Sequence, residues 1–180
     1  MRECWQLWDK ALPKERCEEI INICKSRPMH DATIFSGNDY ETIKDFRKTQ
    51  VAWVNDPSIQ NIMQHYFKTA NRSAFGFDID YLPHSQYGEY TEGSFYNWHH
   101  DIDWKADSAY DRKLSIVIQL SDENEFEGGN FEFKEMGTPE GFRAQGSVLV
   151  FPSYLVHRVS EITKGTRRSL VNWIEGPRWR

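Results

Sequence analysis

Residues 148–174 read VLVFPSYLVHRVSEITKGTRRSLVNWI. Three apolar runs lie in this stretch, at Val148–Phe151, Val156–Val159 and Arg167–Ile174. The turn signals Phe151-Pro152-Ser153 and Lys164-Gly165 separate them. Runs this short, broken this often, predict strands rather than helices.

The same rhythm extends upstream. Leu114, Ile116, Ile118 and Leu120 alternate with other residues, as in a strand with one buried face. Phe131–Phe133 is a shorter run, and Phe75, Phe77, Ile79 and Tyr81 also fall at period two. Gly128-Gly129 and Gly137-Thr138-Pro139 add turns. Many short strands at this spacing predict a sandwich or jelly roll.

The front of the chain differs. Cys17, Ile20, Ile21 and Cys24 form one apolar stripe at helical spacing, which predicts a helix over 13–26 with Pro13 at its first position and Pro28 beyond its end. A second helix is expected over 57–70, capped by Asp56, started by Pro57 and buried along Ile59, Ile62, Met63, Tyr66, Phe67 and Ala70. Gln50–Val54 reads as a strand between them. The fold class is therefore mainly β with supporting helices (α+β). Residues 1–180 are expected to be one domain, with helices in 1–72 bracing a β core over 75–175.

Composition narrows the function. Apolar residues make up 39% of the 180 residues and aromatics 14%, which excludes a disordered chain. The net charge of −5 argues against a nucleic-acid partner, whose phosphates demand a basic surface. Three cysteines give no disulfide framework, and no CxxC pair offers a zinc site; Cys17 and Cys24 are expected to be buried free thiols. The start, MRECWQLWDK, has no apolar signal segment, and no run of about 18 apolar residues occurs. The expectation is a cytoplasmic protein with no membrane partner. The oligomeric state is not legible.

Of the six histidines, His30, His65 and His84 have no evident partner and read as surface or structural residues. The segment Tyr96-Asn97-Trp98-His99-His100-Asp101 is different. Residues two apart on an extended chain share a face, so His99 and Asp101 can reach one ion while His100 points away. His157, beside an apolar strand, is the candidate third ligand. Two imidazoles and a carboxylate on one face of an ion leave positions open for substrates. An isolated HxD triplet arises by chance in many chains, so the assignment needs support from elsewhere. Arg167 supplies it. Arg167, Ser169, Val171 and Trp173 share one strand face, and an inward guanidinium requires an anionic partner. The competing reading has Arg168 inward, or both arginines solvated.

The ordered set of motifs resembles the prolyl 4-hydroxylase-like branch of the 2-oxoglutarate/Fe(II) oxygenases and is similar to bacterial and phage PKHD-type hydroxylases. It runs through Tyr90-x-x-Gly93-x-x-Tyr96-x-x-His99-x-Asp101, Leu114–Ser121, Phe126-Glu127-Gly128-Gly129-Asn130-Phe131, Phe151-Pro152-Ser153-x-x-x-His157 and Gly165-Thr166-Arg167-Arg168-Ser169, with a fainter echo in Arg47-Lys48-Thr49. The resemblance covers roughly residues 75–175. It implies a double-stranded β-helix barrel. It also implies Fe(II) bound by His99, Asp101 and His157, with 2-oxoglutarate and O2 as cosubstrates and ascorbate as a candidate reductant. Arg167 would pair with the distal carboxylate of 2-oxoglutarate, assisted by Ser169; Tyr90 would contact the cosubstrate and Trp173 would stand beside it. Relatives often carry Tyr where this chain has Gln119, which is a candidate cosubstrate donor. Tyr96 and Trp98 are candidates for the substrate mouth or for ordinary barrel packing. The loops Ala32–Asp45 and Trp104–Arg112 are candidates for specificity.

The reaction expected is hydroxylation of a residue in a peptide or protein, or of an amino-acid-like substrate, with proline as the leading candidate. Two alternatives stay open: an oxygenase acting on a nucleobase or other small molecule, and a non-enzymatic jelly-roll binding module.

Overall fold

The computed structural model describes residues 4–36, 39–41, 45–104 and 107–180. The strands are β1 (Gln6–Trp8), β2 (His30–Asp31), β3 (Ile34–Ser36), β4 (Asp39–Glu41), β5 (Arg47–Lys48), β6 (Gln50–Val54), β7 (Ser85–Tyr90) and β8 (Phe95–His99). They continue with β9 (Tyr110–Gln119), β10 (Phe126–Gly128), β11 (Phe131–Phe133), β12 (Val148–Pro152), β13 (His157–Val159), β14 (Ile162–Gly165) and β15 (Arg167–Pro177). The helices are α1 (Lys14–Lys25) and α2 (Pro57–Ala70).

A seven-stranded sheet runs β1-β12-β9-β15-β7-β6-β2, and a four-stranded sheet runs β11-β13-β8-β5. The order is far from chain order, so strands distant in sequence become neighbours. Period-two alternation gives the large sheet two buried faces. On one, Leu114, Ile116, Ile118, Leu120, Leu170 and Ile174 pack against Cys17, Ile20, Ile59, Met63 and Phe67 of the two helices. On the other, Val117, Leu149, Phe151 and Tyr90 meet Phe131, Phe133 and Val159 from the small sheet. The result is helices on sheet on sheet. The candidate site lies between the two sheets.

Both helices form where expected. In α2, Asp56 accepts hydrogen bonds from the Ser58 and Ile59 amides and Pro57 follows it. Pro13 is the N-cap of α1, one residue outside the helix, in extended backbone. Cys17 and Cys24 are buried free thiols, and Cys4 is exposed.

The strand expected over Phe75–Tyr81 does not form. Helix α2 runs on through a π-helical turn, Asn71–Phe75, which Gly76 ends in the left-handed region at φ 65°. The Asn71 side chain then donates to the Phe77 carbonyl and accepts from the Phe77 amide, both at 2.8 Å, so local bonds replace a ladder. The alternating apolar residues still have a use: Phe75, Phe77 and Ile79 pack on the helical core.

Candidate active site

His157 and His99 are cross-strand partners on β13 and β8, which closes the long gap in sequence between them. Strand β8 ends at His99, and the chain bends before Asp101. The Asp101 amide is pinned to the Ser153 carbonyl at 2.9 Å. The three side chains converge, with their candidate ligand atoms all within 4.8 Å of one another. His99 Nε2 is 3.6 Å and His157 Nε2 3.7 Å from the two Asp101 oxygens. These gaps are too long for hydrogen bonds and suit an ion between the groups.

The imidazoles are set for ligation by their other nitrogens. His99 Nδ1 lies 2.8 Å from the Asn97 carbonyl and His157 Nδ1 2.9 Å from the Leu155 carbonyl. A carbonyl only accepts, so each Nδ1 carries the proton and each Nε2 presents its lone pair inward. Tyr96 stacks on His99 with centroids 3.5 Å apart, and Phe131 stacks on His157 at 5.2 Å. Burial, reinforced by His157, pulls His99 down to about 3, so it is neutral at physiological pH. Burial pushes the Asp101 carboxyl up, but the two imidazoles, Arg112 and the Ser115 hydroxyl together outweigh this and hold it at about 2. Two imidazoles and one carboxylate form the donor set of a facial triad. His100 is exposed and turned away, as the alternation requires.

The inner chamber beside the triad is lined by Tyr90, Val117, Phe131, Arg167, Ser169, Val171 and Trp173. Arg167 is 2% exposed and pairs in register with Tyr90 across β15 and β7. Its Nη2 is buried without a hydrogen-bond partner. Burial pulls the guanidinium down to about 10, and Arg143 adds to the shift against the opposing effect of Tyr90. A buried cation with an unsatisfied donor is costly unless a ligand anion completes it. Arg168 instead faces outward to Glu89 and Glu125.

Gln119 stands apart from this group. Its amide donates to the Ser121 carbonyl at 3.1 Å, and it is not among the residues lining the chamber. The other sequence-derived residues are brought together. Ser115 and Gln86 join them unforeseen, and so do Arg47 and Ser153, which the motifs contained without assigning them a role. Ser115 Oγ donates to Asp101 Oδ2 at 2.6 Å and lies 2.9 Å from Ser153 Oγ. Its position opposite the Leu114–Leu120 row was visible in the sequence, but its partner was not.

An outer groove of about 790 Å³ leads to the triad. Trp53, Trp98, Trp104 and Tyr110 line it, so Trp98 belongs to the groove and Tyr96 to both spaces. The loops 32–45 and 104–112 contribute Thr33, Trp104, Tyr110, Asp111 and Arg112. Positions 37–38, 42–44 and 105–106 of those loops lie outside the described residues.

Residues 85–175, half of the chain, match the model of the 2OG-Fe(II) oxygenase superfamily. The chain belongs to this superfamily. The reaction class is Fe(II)- and 2-oxoglutarate-dependent dioxygenation, with O2 as the oxidant. A PKHD-type hydroxylase of Aliarcobacter butzleri is 29% identical over 175 residues, covering 92% of this chain and 76% of that protein. One from Idiomarina loihiensis is 31% identical over 87 residues, 48% of this chain and only 39% of the relative's length. A prolyl hydroxylase of Trichoplax adhaerens, solved with a hypoxia-inducible-factor peptide fragment, superposes with a TM-score of 0.74 at 13% identity, over 95% of this chain and 83% of that one. The shared architecture is the double-stranded β-helix, here as two facing sheets that do not close into a barrel.

Proposed function

We propose that the protein hydroxylates an amino-acid residue in a peptide, with proline as the leading candidate, and that residues 1–180 act as one domain. His99, Asp101 and His157 would hold the iron. Arg167, with Ser169, would take the distal carboxylate of 2-oxoglutarate, Tyr90 would contact the cosubstrate, and Trp173 would wall the chamber. The observation that carries the reading is the buried Arg167 guanidinium, whose Nη2 has no partner, in the same chamber as the triad.

With iron and 2-oxoglutarate bound, the site supplies the chemistry of O2 activation: one oxygen atom enters succinate, the other the substrate C–H bond, and carbon dioxide leaves. The chain's own share is positioning. The Asn97 and Leu155 carbonyls fix the two tautomers, Ser115 fixes the carboxylate, and the aromatic walls exclude water.

The peptide substrate is favoured by the peptide bound to the Trichoplax adhaerens prolyl hydroxylase. The acidic balance continues to weigh against nucleic acid. No helix among the described residues is long and apolar enough to cross a membrane. The free thiols fit the reducing cytoplasm, where we place the protein. Ascorbate would serve as a reductant that maintains the ferrous state. The test is succinate release with Fe(II), 2-oxoglutarate and O2 over a panel of peptides and free amino acids. Stimulation by proline peptides with a mass gain of one oxygen is expected. Stimulation confined to nucleobases would overturn the substrate assignment.

A further inference from the structure

The chamber holds a second buried guanidinium. Arg47, on edge strand β5, is 8% exposed. It lies 4.4 Å above the Tyr96 ring, and its Nη2 donates to Gln86 Oε1 at 2.8 Å. Its Nε is buried without a hydrogen-bond partner, and it forms no ion pair among the described residues.

Its position separates it from Arg167. Arg167, Tyr90 and Ser169 line the inner chamber alone. Arg47, Gln86, Tyr96, His99, Asp101 and Trp173 line both the chamber and the outer groove, so they frame the passage between the two. A substrate that reaches the triad from the groove meets Arg47 on the same rim as His99 and Asp101.

Charge balance points the same way. Arg112, on the outer groove, hydrogen-bonds the Asp101 carbonyl, stacks on Trp173 and has Glu175 as a charged neighbour. Lys134 on the groove is exposed. Once a cosubstrate dianion occupies Arg167 and the triad ion, the charge of Arg47 stays buried and without an ion-pair partner among the described residues. Gln86 satisfies one nitrogen without neutralising it. A neutral peptide carbonyl would also leave the charge uncompensated, whereas a carboxylate would neutralise it through charge-assisted hydrogen bonds.

Building on the function proposed above, we propose that Arg47, held by Gln86, binds a carboxylate of the primary substrate and so selects an acidic substrate over its neutral analogue. The carboxylate has three possible sources: a free amino acid, a peptide C-terminus or an acidic side chain beside the reacting residue.

The test uses Fe(II)-loaded protein and three pools in which all twenty residues occupy the reacting position: free amino acids, dipeptides with a free C-terminus, and end-blocked tetrapeptides carrying Asp beside that position. Each is paired with its neutral counterpart, the amides for the first two and Asn for Asp in the third. Binding is measured calorimetrically without oxygen and with 2-oxoglutarate present, and succinate release with oxygen. One acidic pool is expected to bind at least tenfold more tightly than its neutral partner, and which pool does so identifies the source. Arg47→Gln should abolish that gap and Arg47→Lys should keep part of it, while both variants retain 2-oxoglutarate binding, a sign that the chamber is intact. Equal binding of acid and neutral pools, binding by none, or a gap that survives in Arg47→Gln would overturn the proposal. Failure of the wild-type protein to bind 2-oxoglutarate would instead remove the underlying reading, and this inference with it.

Discussion

Ser115 Oγ donates to Asp101 Oδ2 at 2.6 Å and is itself 2.9 Å from Ser153 Oγ, with both serines fully buried. The pair fixes the carboxylate rotamer from behind the triad. Loss of such a partner typically lowers metal affinity about tenfold to a hundredfold. Ser115→Ala should therefore weaken Fe(II) binding by roughly that factor in an anaerobic equilibrium titration, with an unchanged circular dichroism spectrum, and Ser115→Thr should recover most of it. An unaltered dissociation constant in Ser115→Ala would remove this role.

Arg167→Ala should raise the KM for 2-oxoglutarate by about tenfold to a hundredfold, the value of a charge-assisted bidentate pair, with a smaller effect on kcat. Arg167→Lys should fall between, because an ammonium keeps the charge but not the fork. Steady-state succinate assays separate the two constants. Wild-type KM in Arg167→Ala would reassign the residue.

Gly129 ties the Phe126–Phe131 loop to the chamber wall. Its φ is +60°, and a Cβ there would lie 2.2 Å from Ile162 Cδ1 and 3.3 Å from Arg167 Cδ. Gly129→Ala should lower Tm and also raise the KM for 2-oxoglutarate, because the Ile162 methyl must move away and the Arg167 stem must yield by a few tenths of an ångström. Gly137 has φ +74° and nothing within 4 Å of its Cβ position, so Gly137→Ala should cost only the backbone term of about 1–2 kcal/mol. Thermal melts and KM values of the two variants decide the comparison.

The Asp56 cap gives a pH signature. Hydrogen bonds from the Ser58 hydroxyl and the Ser58 and Ile59 amides hold its carboxyl below the ordinary 3.8. A depressed folded-state pKa adds stability that is present above the unfolded pKa and is lost as pH falls through the folded one. Asp56→Ala should thus lower Tm at neutral pH, and the difference from wild type should shrink below about pH 3.8. A difference that stayed constant into strong acid would contradict this sign.

Period two in the sequence revealed faces accurately. It placed Arg167, Ser169, Val171 and Trp173 together, and all four line the chamber. It also separated Leu114, Ile116, Ile118 and Leu120 from Ser115 and Val117. It could not reveal partners. The bonds from Ser115 to Asp101 and from Arg47 to Gln86 cross between the two facing sheets, from β9 to the chain just past β8 and from β5 to β7. Phe75–Tyr81 misled because its alternation serves packing on the helices while Asn71 satisfies the backbone locally. Strands as short as β2 and β5 leave no periodic signal, since only their pairing defines them.

The most direct test of the site is an anaerobic titration of the protein with Fe(II) and 2-oxoglutarate, followed by visible absorption. A charge-transfer band that saturates at one iron per chain is expected, lost in His99→Ala, Asp101→Ala and His157→Ala and shifted to higher cosubstrate concentration in Arg167→Ala. A wild-type protein that gives no band, or a band of full strength in His157→Ala, would contradict the account.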